Sequence, residues 1–196
     1  GQGRLDSADC GEGSGWAVRR PRGARSASAC HRHRRTAGAS DAHRRSVSEA
    51  LGAEASVSTD ADVRALVDGE RGDGADLSFE LSGNPDALND AIGATGYAGR
   101  VIVGSWYGTK PVHLDLGGEF HRSHVRVQSS QVSRIDPDHA GRWDKDRRLD
   151  LVQDLLAGID PAPLVTDEFP IERAGEAYEL LDSSPETTLG VALTYD

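Results

Sequence analysis

The residues able to do chemistry gather at a few points of the chain. Ser82-Gly83, Gly104-Ser105 and Ser129-Ser130 each close a stretch that reads as a strand. Glycine there lets a flat ring approach the main chain closely, and the serines add polar groups beside it. The plainer reading is turn chemistry, which accounts for most strand-end glycines. His113, His121, His124 and His139 could ligate a metal or act as a base near neutral pH; surface or loop packing is the competing reading. Trp106-Tyr107 could line a pocket or cap the sheet, and Trp143 reads as core or interface. At the start, Gly1-Gln2-Gly3 looks like the opening of a glycine-rich phosphate turn. Arg4-Leu5-Asp6 then follows where an apolar helix start is needed.

Two further constellations fail on spacing. Cys10, Cys30, His31 and His33 lack any CxxC or HxxxH pairing, so they do not read as a zinc site. Arg32, Arg34 and Arg35 with their histidines lack interleaved aromatics, so the run reads as a solvated basic stretch rather than a nucleic-acid face.

Charge divides the chain. Its net charge is −10, yet residues 1–45 hold ten arginines against four acids, while residues 46–196 hold twelve basic residues against twenty-eight acids. Lysine occurs only at positions 110 and 145. An acidic surface served by arginine stays hydrated at high salt and repels itself at low salt, so the second segment reads as salt-adapted. Residues 1–45 contain only Leu5, Trp16 and Val18 as large apolar residues, without helical or strand period. Such a stretch is expected to be disordered by itself. Read one base later, codons compatible with Arg4 through Glu12 can encode an amphipathic helix opening. The segment is therefore read as a frame-slipped start of a domain.

The elements that must position the rim residues begin near Val47. Helical or strand patterns alternate: a helix end at Ser48 to Gly52, a strand at Ala55 to Ser58 and a helix at Asp62 to Val67. A strand at Ala75 to Leu81, a proline-started helix from Pro85 to Gly93 and the β-branched run Val101-Ile102-Val103-Gly104 follow. His124 to Val132 reads as another strand. Strands separated by helices describe a doubly wound parallel α/β sheet, whose ligands bind beyond the carboxyl ends of the strands. The last segment, 146–196, has a different rhythm. It shows a helix from Arg147 to Ala157 with Leu149, Val152, Leu155 and Leu156 on its apolar side. A strand at Leu164 to Thr166, a helix from Ala174 to Leu181 and a strand from Leu189 to Tyr195 complete it.

Residues 46–196 resemble the zinc-containing medium-chain dehydrogenase/reductase family, alcohol dehydrogenase-like in type. The likeness rests on Gly74-Ala75-Asp76 through Ser82-Gly83-Asn84-Pro85, on Gly99-Arg100-Val101-Ile102-Val103-Gly104, and on Leu164-Val165-Thr166 through Phe169-Pro170-Ile171 with Ala174, Ala177-Tyr178 and Leu189 to Tyr195. The resemblance implies the remainder of a partial Rossmann domain over 46–145. Residues 146–196 would be the C-terminal return into a catalytic domain. It implies NAD or NADP as cofactor and hydride transfer between nicotinamide and an alcohol or polyol, or the corresponding carbonyl.

By position, Gly1 and Gly3 would belong to the pyrophosphate turn, and Ser82 and Gly83 would flank the nicotinamide ribose. Val103 and Gly104, with Ser105 beside them, would pack against the nicotinamide ring. Ser129, Ser130 and Gln131 would offer backbone groups to its carboxamide. Departures accompany the likeness: Asp6 stands at the third turn glycine, Gly190 stands near a basic position of some relatives, and no acid marks NAD against NADP. The family's zinc ligands lie N-terminal to Gly1, so the chain is expected to be an inactive fragment without metal ligands. A zinc-independent quinone or enoyl reductase of the same superfamily, or a non-enzymatic, pseudogene-like product, are the alternatives. The expected setting is cytoplasmic, as a homo-oligomer, without nucleic acid or a membrane span.

Overall fold

The computed structural model describes residues 15–19, 26–30, 39–57, 61–68, 73–184 and 187–195. In chain order the elements are β1 (Gly15–Arg19), β2 (Ser26–Cys30), α1 (Ala39–Ala50), β3 (Ala55–Val57), α2 (Val63–Val67), β4 (Ala75–Glu80) and α3 (Pro85–Ala94). There follow β5 (Thr95–Val103), α4 (Glu119–Arg122), β6 (Arg126–Ser129), α5 (Lys145–Leu156), β7 (Val165–Pro170), α6 (Ala174–Ser183) and β8 (Gly190–Thr194).

Six strands form one sheet in the order β3-β1-β2-β4-β5-β6, and β7 pairs parallel with β8 in a second. β2, β4, β5 and β6 pair parallel in succession. β1 runs antiparallel to both β2 and β3, so β3 shares the common direction. The expected parallel α/β sheet is present, with β1 as the exception. In the usual doubly wound order the strand beside the fourth is the first; here β2 takes that place, next to β4.

The N-terminal segment departs from its expected disorder at three places, since β1, β2 and the start of α1 fall within residues 1–45. The reason is tertiary. β2 lies along the edge of β4, whose main-chain groups need partners whatever the neighbouring side chains are, and strand formation follows such context more than composition. Gly1 and Gly3, and most of the proposed frame-slipped stretch, lie outside the described residues.

α3 carries the core. Asn84 accepts a hydrogen bond from the Asp86 amide at 3.0 Å, Pro85 opens the first turn, and Ala87, Leu88, Ala91 and Ile92 are buried. That apolar face lies on β2, β4 and β5, with α2 alongside. Val101 of β5, Ala75 of β4 and Val67 of α2 belong to the same cluster. Arg64 secures α2 to the end of α3, its guanidinium donating to the Gly93 carbonyl at 3.1 Å and pairing with Asp68 at 2.7 Å. Arg44 of α1 donates to the Thr188 carbonyl at 2.8 Å, tying the first helix to the approach to β8.

Candidate cofactor rim at the strand ends

Three strand ends stand side by side because the hydrogen-bond ladder continues past the strands. The Gly104 amide donates to the Glu80 carbonyl at 2.9 Å, and the Ser130 amide donates to the Val103 carbonyl at 2.7 Å. The loops after β4, β5 and β6 therefore share one rim. It brings together Ser82, Gly83, Val103, Gly104, Ser105, Ser129, Ser130 and Gln131. Gly83 adopts φ +66°, and a Cβ on it would stand 3.1 Å from the Trp106 carbonyl oxygen, so the first two loops are in contact. A Cβ on Gly104 would stand 2.7 Å from Leu81, whose side chain lies across the next strand end. Ser129, Ser130 and Gln131 are exposed residues, and the Gln131 side-chain oxygen accepts from the Ser133 amide at 2.5 Å.

The group that organises this rim is one the sequence reading passed over. Glu80, the last residue of β4, has 0% exposure. One carboxylate oxygen accepts from the Ser82 amide at 2.7 Å, from the Gly83 amide at 3.1 Å and from the Ser82 hydroxyl. The other accepts from the Tyr107 hydroxyl at 2.5 Å and from the Ser105 hydroxyl. Burial, then the hydrogen bond and charge of Glu80, push the Tyr107 phenol well above its ordinary range, while its hydrogen bond with Ser105 acts the other way. Lys110, one of the two lysines, donates to the Gly83 carbonyl at 2.9 Å. The available signal was the pairing of a glutamate at a strand end with Ser-x-Tyr just past the next strand, Ser105 and Tyr107.

The other candidates lie elsewhere. Trp106 stands out from the rim at 89% exposure, while Tyr107 turns inward to Glu80. His124, at φ 52°, meets Tyr97 edge-on with ring centroids 5.5 Å apart. His139 lies 3.8 Å from Asp136, and Trp143 sits under the Arg147 guanidinium at 4.3 Å. Among the described residues no three His, Cys, Asp or Glu side chains gather as a metal site, so the zinc that the resemblance implies finds no fitting donor set there. A cleft between α2, α3 and the loop at 115–119, lined by Asp62, Arg64, Asn89, Asp90, Asp115 and Glu119, lies on the helical face and not at the rim.

Residues 29–145, more than half of the chain, match the family model described as zinc-binding dehydrogenase. The chain belongs to that family. L-threonine 3-dehydrogenase of Bacillus subtilis is 28% identical over 144 residues, covering 70% of this chain and 38% of its own length. D-guloside 3-dehydrogenase of Escherichia coli K12 is 25% identical, covering 62% and 36% respectively.

Solved structures share the fold of this chain. Bacillus subtilis 2R,3R-butanediol dehydrogenase superimposes with a TM-score of 0.59 at 20% identity, covering 79% of this chain and 42% of that one. A short chain alcohol dehydrogenase of Escherichia coli CFT073, complexed with NADH, gives a TM-score of 0.61 at 17% identity, with 79% and 42% coverage. The chain thus spans about two fifths of the relatives it matches. No helix among the described residues is long and apolar enough to cross a membrane.

Proposed function

We propose that the rim formed by Ser82-Gly83, Val103-Gly104-Ser105 and Ser129-Ser130-Gln131 receives the nicotinamide half of NAD(H) or NADP(H). The reaction it serves is hydride transfer between that ring and an alcohol, polyol or matching carbonyl compound. One observation carries the reading: the ladder bonds from Gly104 to Glu80 and from Ser130 to Val103 place three strand-end loops at one edge. Ligands of open α/β sheets bind at this end of the strands. Family membership and the fold shared with an NADH-complexed relative support it.

Each residue has a bounded role in this reading. Ser82 and Gly83 flank the ribose. Val103 and Gly104 give the ring an apolar, close-approaching floor, with Ser105 beside it. Ser129 to Gln131 offer main-chain donors and acceptors to the carboxamide. The cofactor itself supplies hydride acceptance and donation when bound. Gly1 and Gly3, assigned to the pyrophosphate turn by the resemblance, belong to the same proposal. Zinc, where bound, would supply Lewis-acid polarisation of the substrate oxygen; the described residues gather no donor set to hold it, so we infer that their part in the reaction is to hold the cofactor. The outer edge of β6, the last strand of its sheet, supports pairing of two copies.

Titration with NADH and NADPH, followed by nicotinamide fluorescence, tests the reading. Saturable binding that NAD⁺ or NADP⁺ reverses is expected. Gly104→Val, whose Cβ would stand 2.7 Å from Leu81 and force that side chain to shift at the rim, should weaken it about tenfold, a change of roughly 1.4 kcal/mol. No saturation by either nucleotide would sink the proposal.

A further inference from the structure

We propose that Glu80 is a positioning residue of this rim, its buried carboxylate holding the Ser82–Gly83 loop and the Ser105–Tyr107 loop at one fixed separation. The inference rests on the nicotinamide reading of the rim and goes beyond it by naming what sets the rim's geometry.

Five donors converge on the two oxygens of Glu80, and they come from two different loops. An ionised carboxylate offers about four lone-pair sites and no proton of its own. It accepts from both loops at once, which a neutral side chain of the same size can match only if the hydroxyls turn from donors into acceptors. The donors also differ in freedom. The Ser82 and Gly83 amides are fixed by the main chain, whereas the Ser105 and Tyr107 hydroxyls rotate. In Glu80→Gln the single oxygen must therefore face the two amides. Its NH₂ then faces Ser105 and Tyr107, whose hydroxyls turn to accept. The loop after β4 keeps its shape, and the loop after β5 is re-seated.

That second loop matters because of what it presents. Ser105 and Tyr107 are anchored inward, and Trp106 between them is turned out at 89% exposure. Lys110 adds a second tie to the same loop through the Gly83 carbonyl. A nicotinamide ring seated on the rim rests against both loops and feels how they are placed; the adenosine diphosphate end of the cofactor does not. A residue acting only on overall stability would weaken both ends alike.

ADP-ribose, which lacks the nicotinamide, separates these cases. Calorimetric titration of the full chain with NADH and with ADP-ribose is the experiment, on wild type, Glu80→Gln and Tyr107→Phe. Loss of a rim hydrogen bond should weaken NADH about fivefold to tenfold in Glu80→Gln and less in Tyr107→Phe, with ADP-ribose changed by no more than about twofold. Tyr107→Phe keeps the ring and removes one donor, so it carries the comparison where Glu80→Gln fails to fold. Equal weakening of both ligands, or no change in either, overturns the inference while the nicotinamide reading stands. A wild-type chain that binds neither ligand overturns both.

Discussion

A buried carboxylate is costly unless its oxygens are met by donors, and at Glu80 the donors of two loops meet them. The same contact makes Tyr107 a reporter. Its phenol, ordinarily near 10.0, is held protonated in the fold by burial and by Glu80. Above pH 10 the unfolded chain releases a proton that the folded chain keeps, so stability falls as pH rises. Urea unfolding midpoints measured from pH 9 to 11 should decline more steeply in wild type than in Tyr107→Phe, because the other titrating groups are common to both. Parallel curves would show that Tyr107 is not held by Glu80. At this scale the sequence reading found the glycines and serines of the rim, since residue type alone marks strand-end turns. Glu80 escaped it because a lone acid in the stretch Ser78-Phe79-Glu80-Leu81 reads as a solvent-facing strand position, and only closure of the next loop supplies its partners.

Elements were legible where local signals agreed with burial. α3 was expected from Pro85 to Gly93 and runs to Ala94, with its cap, proline start and apolar face all in place. The start of β5 was not legible. Gly96, Gly99 and Ala98 at φ 56° break any strand pattern, and the strand is set there by an irregular register against β4. β6 runs from Arg126 to Ser129 rather than from His124 to Val132, and the Ser130 amide makes one more bond to the Val103 carbonyl beyond its end. α5 was read correctly as amphipathic, but its apolar side lies open, with Leu149 at 52% and Leu156 at 54% exposure. The contrast between these helices is testable, because each has one side-chain cap. Asn84 accepts from the Asp86 amide at 3.0 Å, and Asp144 accepts from the Arg147 amide at 2.8 Å. Each replacement by alanine removes about 1 kcal/mol of helix stability. Asn84→Ala should lower the global urea midpoint, since α3 is part of the core. Asp144→Ala should leave it unchanged and speed amide exchange over residues 145–156 only. A global loss in Asp144→Ala would mean that α5 is packed more firmly than its exposure indicates.

For the molecule as a whole the leading electrostatic feature is self-repulsion. The net charge is −10, and the acids outnumber the bases by more than two to one beyond residue 45. At low salt, charges about 10 Å apart still repel; at 1 M the screening length is about 3 Å, and the penalty on the compact state disappears. Raising NaCl from 0.1 to 1 M at pH 7.5 should therefore raise the melting temperature. Exposed apolar side chains such as those of α5 would also favour burial at high salt, so the rise alone does not identify its cause. Repeating the comparison near the isoelectric point of about 5.1 separates the two, because the net charge vanishes there and the apolar surface does not. Charge repulsion requires the salt effect to shrink towards zero at that pH. A rise of the same size at both pH values would assign it to apolar surface, and the reading of residues 46–196 as salt-adapted would fall.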